Sequence, residues 1–186
     1  MAKNVIGFII LGIISIGALG LAGYNFLETQ IFVEPEEDFP KVAGLWNAFD
    51  RNVDYFPYND SNNWLFELLD NVYNDSEYIS VNNTNTCISL KKAGLYRIQI
   101  AVLLSSIDMN EDYWIHLLKN GAIFLYLYYF ECKSDPPGYV TVNAEGYIMS
   151  DGDDYIQFNG KSRNGDIFAP YISNQDFNQL LIEFIM

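Results

Sequence analysis

The sequence is poor in the residues that most enzyme sites need. Its 186 residues include one histidine, His116, and two cysteines, Cys87 and Cys132. A single histidine excludes a histidine-based metal site and leaves little from which to build a Ser-His-Asp triad. His116 alternates with Trp114 and Leu118 on a predicted strand, which is typical of a structural histidine. We therefore predict that the protein is not an enzyme and has no catalytic cofactor.

Positive charge is also scarce. Ten Lys and Arg residues stand against 24 Asp and Glu residues, which gives a formal net charge of -14 and a pI near 4.2. Binding to nucleic acid requires a basic face, so we exclude nucleic acid as a partner. An acidic surface instead favours solubility, cation binding or a basic partner.

Helical periodicity is missing beyond residue 41. Short apolar runs alternate there with turn sequences such as Asn164-Gly165-Asp166. With 50% apolar and 16% aromatic residues, the chain can bury a core, and its composition favours strands. Strands are predicted near residues 42–49, 63–68, 77–81, 86–90, 94–106, 112–119, 122–131, 139–149, 154–161 and 177–186. Ten short strands predict an all-β, two-sheet sandwich or jelly roll over residues 42–186.

A long uncharged run occupies the N-terminus. Residues 4–27 contain no charged side chain and, at about 1.5 Å per residue, are long enough to cross a hydrocarbon core of about 30 Å. Lys3 precedes the run and acidic residues follow it, so the positive-inside rule places the N-terminus in the cytoplasm and the C-terminal domain outside the cell. We predict a single-pass membrane anchor at residues 1–27. A cleaved signal peptide, which would leave a secreted protein, stays open because small residues at 18–23 offer a cleavage site.

Residues 28–41 predict an acidic linker. Five acidic side chains, Pro35 and Pro40 leave little to bury, so the segment should be extended. One alternative function depends on it. In that alternative the segment Ile31-Phe32-Val33 adds a strand to a neighbouring subunit, or the N-terminal helix polymerises, and the protein is a structural subunit of a surface filament.

The longest predicted strand follows Gly94. Tyr96 and Ile98 share one face of this strand while Arg97 and Gln99 share the other, which is the pattern of a strand with one buried side. Gly94 lies where the chain turns into the strand, and glycine reaches positive φ without steric cost. The sequence therefore predicts a core strand introduced by a glycine.

The order of short motifs along the chain resembles the C1q/TNF superfamily. An Ala-Gly-Leu-Tyr sequence enters the longest strand, a Lys-Asn-Gly hairpin follows, an Asp-Gly-Asp turn precedes the penultimate strand, and an apolar strand ends the chain. Two shorter strand-like pieces come before them. The pieces are residues 64–66, 72–74, 87–98, 118–121, 151–156 and 177–186. No Gly-X-Y stalk is present, so the collagenous branch is not matched.

The resemblance implies a ten-stranded jelly roll that trimerises around an apolar axis and binds a partner without catalysis. An anchor ahead of such a head is similar to the type II layout of the TNF branch. The implied protein is a cell-surface recognition or adhesion protein, held in the membrane by residues 4–27 and binding a protein or glycan that the sequence does not name. Its first partner is itself, as a homotrimer.

Both faces of the predicted strand at residues 122–132 are apolar. A strand with water on one side would carry polar residues there, so this strand is covered either by loops of its own chain or by another subunit. We predict the subunit contact. Its residues are Phe124, Tyr126, Tyr128 and Phe130, with contributions from Tyr155 and Phe184.

The acidic turns raise the question of calcium. Asp151, Asp153 and Asp154 form the densest carboxylate cluster, and oxygen ligands suit this cation. A second cluster comprises Asp108, Glu111 and Asp112. The alternative is that these are solvated turns in an acidic protein.

Two covalent modifications are also predicted. Cys87 and Cys132 lie outside the membrane in this arrangement, where a disulfide is permitted, although two free thiols or pairing between subunits stay open. Asn59, Asn74 and Asn82 each begin an Asn-x-Ser/Thr sequence. These sites would carry glycan on exposed loops if the host modifies them.

Overall fold

The computed structural model describes residues 40–133, 138–172 and 177–186. The predicted anchor at residues 1–27 and all but the last two residues of the predicted linker lie outside the described residues. Within the described part, no helix is long and apolar enough to span a membrane.

The described residues form twelve strands, and every pairing between them is antiparallel. The strands are β1 (Lys41–Asn52), β2 (Asn59–Asp60), β3 (Asn63–Asn74), β4 (Ile79–Val81), β5 (Ile88–Leu90), β6 (Ala93–Ile107), β7 (Glu111–Lys119), β8 (Ala122–Cys132), β9 (Gly138–Asp151), β10 (Tyr155–Ser162), β11 (Ala169–Pro170) and β12 (Gln179–Phe184). All ten predicted strands are present. The predicted number of strands, ten, was too low. Strands β2 and β11 have two residues each, which is too few to show a period-2 pattern.

The strands pack as two layers. One layer is β9, β6, β12 and the first half of β1, and the other is β3, β10, β7 and β8, with β5 and β4 continuing from one end of β10. The pairing of β1 with β3 connects the layers, since β1 pairs with β12 through Lys41–Trp46 and with β3 through Gly44–Asn52. The fold is therefore an antiparallel β-sandwich.

Inward side chains from both layers form one core. Strand β6 contributes Tyr96, Ile98, Ile100, Val102 and Leu104, all buried. The facing layer contributes aromatic rings in edge contact, such as Phe66 against Phe158 with centroids 6.4 Å apart. Each buried aromatic ring contributes a large apolar area, so these contacts hold the inner sides of the two layers together.

Gly94 lies inside β6, not in a turn before it. It has a φ of 148°, so the predicted positive φ is confirmed. A Cβ at this position would lie 2.0 Å from the carbonyl oxygen of Met186. The same carbonyl accepts a 2.7 Å hydrogen bond from the Leu95 amide. Glycine is needed here because the C-terminus passes against the backbone.

Candidate functional site

The predicted interface strand, β8, is interrupted by two β-bulges. Among the described strands it pairs with β7 alone, and the register shifts between Ile115 and His116 and again between Leu117 and Leu118. Each bulge adds a residue to β8 and moves the following side chains to the other face. Simple alternation along β8 therefore does not predict which of its side chains are exposed.

The six predicted interface residues do not lie on one surface. Phe124 and Tyr126 are exposed, by 48% and 61%. Tyr128, Phe130 and Phe184 are partly buried and pack against this subunit's own core, and Tyr155 is partly buried at the start of β10. Phe130, for example, stacks on buried Tyr113 with ring centroids 4.7 Å apart. The prediction of a single interface face along β8 is thus corrected by the bulges, and Phe124 and Tyr126 are the members left available for a subunit contact.

A second surface, on the outer side of β9, β6 and β12, is not covered by any other element of the described residues. We call it the open face; its members include Tyr139, Tyr147, Met149, Leu103 and Leu181. Tyr139, Tyr147 and Met149 are exposed by 50%, 49% and 61% of their area. Sequence reasoning missed this surface. The pattern that indicates it is the odd-numbered series from 139 to 149, in which tyrosine or methionine stands at both ends of an otherwise polar outward row.

The charged groups of the open face have hydrogen-bond partners on the same face. The Tyr147 hydroxyl donates a 2.6 Å hydrogen bond to Glu145, and Gln99 Nε2 donates one of 2.7 Å. These two bonds lower the pKa of the Glu145 carboxyl. Arg97 Nε donates to Glu183 Oε2 at 2.6 Å. The face is therefore less repulsive than the net charge of the chain suggests. It also holds a shallow cavity of about 370 Å³ whose lining includes Gln99, Ala101 and Gln179.

The densest predicted carboxylate cluster is a structural turn. Asp154 is buried and its Oδ2 lies 2.8 Å from Lys119 Nζ, while Oδ1 accepts a 2.6 Å hydrogen bond from Asn120 Nδ2. Burial alone would raise the pKa of Asp154, but the bonds from Lys119, Asn120 and the Asp151 amide outweigh it and lower the pKa to about 2. Asp151 Oδ1 accepts the Asp153 amide at 3.1 Å. The cation that faces Asp154 is thus the Lys119 ammonium.

The second acidic cluster is also satisfied by protein donors. Buried Glu111 accepts hydrogen bonds from the backbone amides of Arg163 and Asn164, at 2.6 and 2.8 Å. Asp112 Oδ2 lies 2.6 Å from the Arg163 guanidinium. Across the described ranges no group of three or more His, Cys, Asp or Glu side chains is arranged to hold a metal ion. Calcium binding stays a prediction without a geometric site.

Both cysteines are free thiols in the structure. Cys87 precedes β5, beside Ile88, which pairs with Ile156 and through it with Lys119 at one end of β7. Cys132 pairs with Glu111 at the other end of β7, about 26 Å away at roughly 3.3 Å per residue. A disulfide needs Cα atoms within about 7 Å, so the predicted bond within one chain is not formed. Burial raises the pKa of the Cys87 thiol, which makes it less reactive.

The three predicted glycosylation sites differ in their surroundings. Asn59, Asn74 and Asn82 are all exposed. The Asn82 amide nitrogen donates a 2.7 Å hydrogen bond to Thr84, and its Oδ1 accepts the amides of Thr86 and Cys87. Its side chain therefore stabilises the turn before β5. Glycosylation at Asn59 and Asn74 requires no such bond to be broken.

The lone histidine is buried and oriented by one neighbour. His116 is 2% exposed, and its Nδ1 lies 2.9 Å from Asn159 Oδ1. Burial lowers the pKa of His116, and the charge of Lys161 lowers it further, against the opposing effect of Asn159. The imidazole is therefore neutral at neutral pH.

Comparison with known proteins identifies the fold. No model of a known protein family matches the sequence. No curated protein matches it either. Among solved structures, murine APRIL at pH 8.0 superposes with a TM-score of 0.50 at 10% identity, covering 76% of this chain and 98% of APRIL. Structures of the same protein at pH 8.5 and pH 5.0 give TM-scores of 0.49 and 0.48 at the same identity and coverage. The chain thus has a TNF/C1q-like fold.

Proposed function

We propose that residues 40–186 form a non-catalytic recognition head that assembles into a homotrimer through the open face. In this proposal the N-terminal segment holds the head at the cell surface, with the head outside the cell. The head binds a protein or a glycan, and the trimer displays three copies of that binding surface.

The open face is the observation that supports this assembly. In an antiparallel sandwich one side of each sheet packs on the core and the other side is usually polar. Here the outer row of β9 places Tyr147 and Met149 side by side with Leu95 and Arg97 of β6. Apolar surface that is rimmed by polar groups is typical of a protein interface. Arg97 is already ion-paired with Glu183, and Glu145 already accepts a hydrogen bond from Gln99, so these groups have partners before subunits meet.

The TNF/C1q-like fold gives the expected stoichiometry. Proteins that the sequence motifs resemble are trimers that bind and do not catalyse, so three subunits are the natural number to test. Phe124 and Tyr126 are exposed on β8, in the other layer of the sandwich, and are not part of the proposed contact.

The mass of residues 40–186 in solution tests the proposal. We expect three times the subunit mass by sedimentation equilibrium. Tyr147→Lys should weaken association by roughly tenfold or more, because it removes an aromatic ring from the open face and puts a charged side chain in its place. A monomeric wild-type head would overturn the trimer.

Tyr126→Lys is the matched control for the interface. It makes the same change at another exposed tyrosine, on β8 instead of β9. We expect it to leave the trimer intact. If Tyr126→Lys dissociates the trimer and Tyr147→Lys does not, the interface lies on β8 and the open face is the wrong surface.

The filament alternative has its own outcome in the same experiment. Where the linker strand assembles the filament, and not the N-terminal helix, polymers should form with residues 28–39 present and disappear without them. Closed trimers with and without the segment would exclude it.

A further inference from the structure

A small pocket lies on the outer face of β10, β7 and β8, on the opposite side of the sandwich from the open face. It has a volume of about 180 Å³ and is lined by Trp114, His116, Ile123, Tyr126 and Lys161. The cross-strand pairs Lys161 with Trp114 and His116 with Tyr126 place these side chains in two adjacent rows. Sites for drug-sized ligands measure roughly 300 to 1,000 Å³, so this pocket has room for a single ring.

The hydrogen bonds of Asn159 determine the tautomer of His116. Asn159 Nδ2 donates to the carbonyl oxygens of Trp64 and Gly160, at 2.8 and 3.2 Å, and to Asn63 Oδ1 at 3.0 Å. Asn159 Oδ1 must therefore face His116 and accept from Nδ1. Since the imidazole is neutral, its proton lies on Nδ1, and Nε2 is a hydrogen-bond acceptor.

That acceptor has no partner. His116 Nε2 is buried and makes no hydrogen bond in the described structure. Burying a polar atom without a partner is unfavourable, so an unsatisfied one calls for an explanation. Because Nδ1 faces β10, Nε2 points away from β10, toward β8 and the pocket. Tyr126 covers it edge to face, with ring centroids 4.7 Å apart, but Tyr126 is 61% exposed and can turn aside without disturbing the core.

Lys161 brings positive charge to the same pocket. It is exposed and makes no ion pair with any described residue, whereas Lys92, Lys119, Lys133, Arg97 and Arg163 all do. Lys91 and Arg51 likewise make no ion pair with a described residue, but of these three cations Lys161 is the one that lines the pocket. It lies beside Trp114 and near His116, so an anion held by Lys161 would also contact the aromatic walls.

We propose that this pocket binds one ring of an acidic sugar. A sugar hydroxyl donates a hydrogen bond to His116 Nε2, the apolar face of the ring packs against Trp114 and Tyr126, and the carboxylate pairs with Lys161. An aromatic wall with a few placed polar groups is the usual construction of a small-ligand site. Neutral sugars lack the carboxylate, and apolar rings lack the donor, so neither satisfies all three groups.

The acidic-sugar pocket gives a ligand class to the recognition role proposed above. Its biological meaning rests on that role. The pocket does not use the open face and is complete within one subunit. The two proposals therefore fail separately, because one is tested by mass and the other by ligand binding.

The single histidine makes the test specific. Because His116 is the only histidine of the sequence, histidine labelled with ¹⁵N gives signals from one imidazole. We would titrate the full chain, without a histidine tag and in neutral detergent, with N-acetylneuraminate near pH 7. The expected result is a saturable shift of the Nε2 resonance, accompanied by a change in the emission of Trp114, since Trp46 and Trp64 are buried. No saturable shift would overturn the proposal.

Two lysine variants test the charge. Lys161→Gln should weaken neuraminate binding by roughly tenfold, the effect of one lost ion pair. Lys133→Gln, an equal change of charge at another exposed lysine, should have no effect. Glucose is the neutral comparison and should bind far more weakly. Equal binding of glucose and neuraminate, or equal loss in both lysine variants, would overturn the assignment to acidic sugars. Tyr126→Ala, at an exposed site where folding is not at risk, should abolish the shift if the wall is required.

Discussion

Asp154 connects two turns that are far apart in the sequence. Its carboxylate binds Lys119 and Asn120 in the turn before β8, while its own turn lies between β9 and β10. We expect Asp154→Asn to lower the free energy of unfolding by about 2 kcal/mol, because Lys119 loses its counter-charge and an amide replaces an ionised acceptor. Urea unfolding near neutral pH measures this loss.

The same ion pair predicts a pH dependence with a definite sign. The folded pKa of Asp154 is about 2, below the ordinary value of 3.8. The stabilisation that ionised Asp154 gives to the folded state is therefore fully present above about pH 4. It is lost as the pH falls from about 4 toward about 2. The difference between wild type and Asp154→Asn should narrow in the same range. Asp153→Asn, an equal change of charge at an exposed carboxylate, should cost little at any pH; equal losses in both variants would contradict a specific role for Asp154.

At the residue scale, the sequence predicted types of residue better than their partners. The acidic turn at 151–154 and the Lys-Asn-Gly turn at 119–121 were both recognisable, but nothing in either indicated that they bind each other. The same limit applied to Cys87 and Cys132, whose separation along β7 depends on pairing across three strands. His116 looked structural from its pattern, and its bond to Asn159 could be seen only in the folded chain.

At the scale of elements, β8 shows where alternation stops being informative. Its apolar run was identified, but the run is apolar on both faces and contains no residue that marks a bulge. The two register shifts against β7 moved Tyr128 and Phe130 onto the core and left Phe124 and Tyr126 exposed. Pattern reasoning fails in such a strand because a one-residue slip exchanges its faces without changing their polarity. Strand β6, whose outward row includes Arg97 and Gln99 while its inward row is apolar, was predicted correctly.

Gly94 supplies a prediction about how the last strand is held. We expect Gly94→Ala to lower the free energy of unfolding by about 3 kcal/mol, since the methyl group would clash with the Met186 carbonyl and the backbone would have an unfavourable φ. The bonds between Leu95 and residues 185 and 186 should break first. Amide hydrogen exchange at Leu95 and Ile185 would detect this opening.

Gly165→Ala separates the two causes. Gly165 also has a positive φ, of 96°, but a Cβ there meets nothing within 4 Å. Gly165→Ala should lower the free energy of unfolding by only about 1 kcal/mol, because the unfavourable φ of the alanine is the one cause that remains. If Gly94→Ala costs no more than Gly165→Ala, the approach of the C-terminus is not what requires glycine at position 94.

At the scale of the molecule, the fold was predictable because strand order and turn chemistry are local properties that a sequence displays. The sandwich follows from some ten strands with turns between them, and its TNF/C1q-like arrangement follows from the order of the motifs. The open face was not predictable to the same degree. It is assembled from alternate residues of three strands, β9, β6 and β12, that are brought together only by their pairing.

Net charge gives the last prediction, about association of the whole molecule. Each chain has a formal charge of -14, so subunits repel one another, whereas on the open face that we propose to join them Arg97 is ion-paired with Glu183 and Glu145 is hydrogen-bonded by Gln99. Salt screens the repulsion between subunits over a Debye length of about 10 Å at 0.1 M. The proposed interface contains few ion pairs between subunits that the same salt could weaken. We therefore expect the trimer to become tighter as sodium chloride rises from about 10 mM to about 500 mM. Sedimentation equilibrium across this range measures the change.

A variant with fewer charges separates screening from a general effect of salt on apolar surfaces. Asp54→Asn with Asp153→Asn removes two exposed carboxylates in turns outside the open face and changes the net charge from -14 to -12. If repulsion limits association, this variant should be tighter than wild type at low salt and should respond less to added salt, while both should converge at high salt where screening is complete. An unchanged salt response in the variant would point to burial of apolar surface alone. Association that weakens with salt would instead require ion pairs between subunits, and the paired charges of the open face could not then be the interface as we propose it.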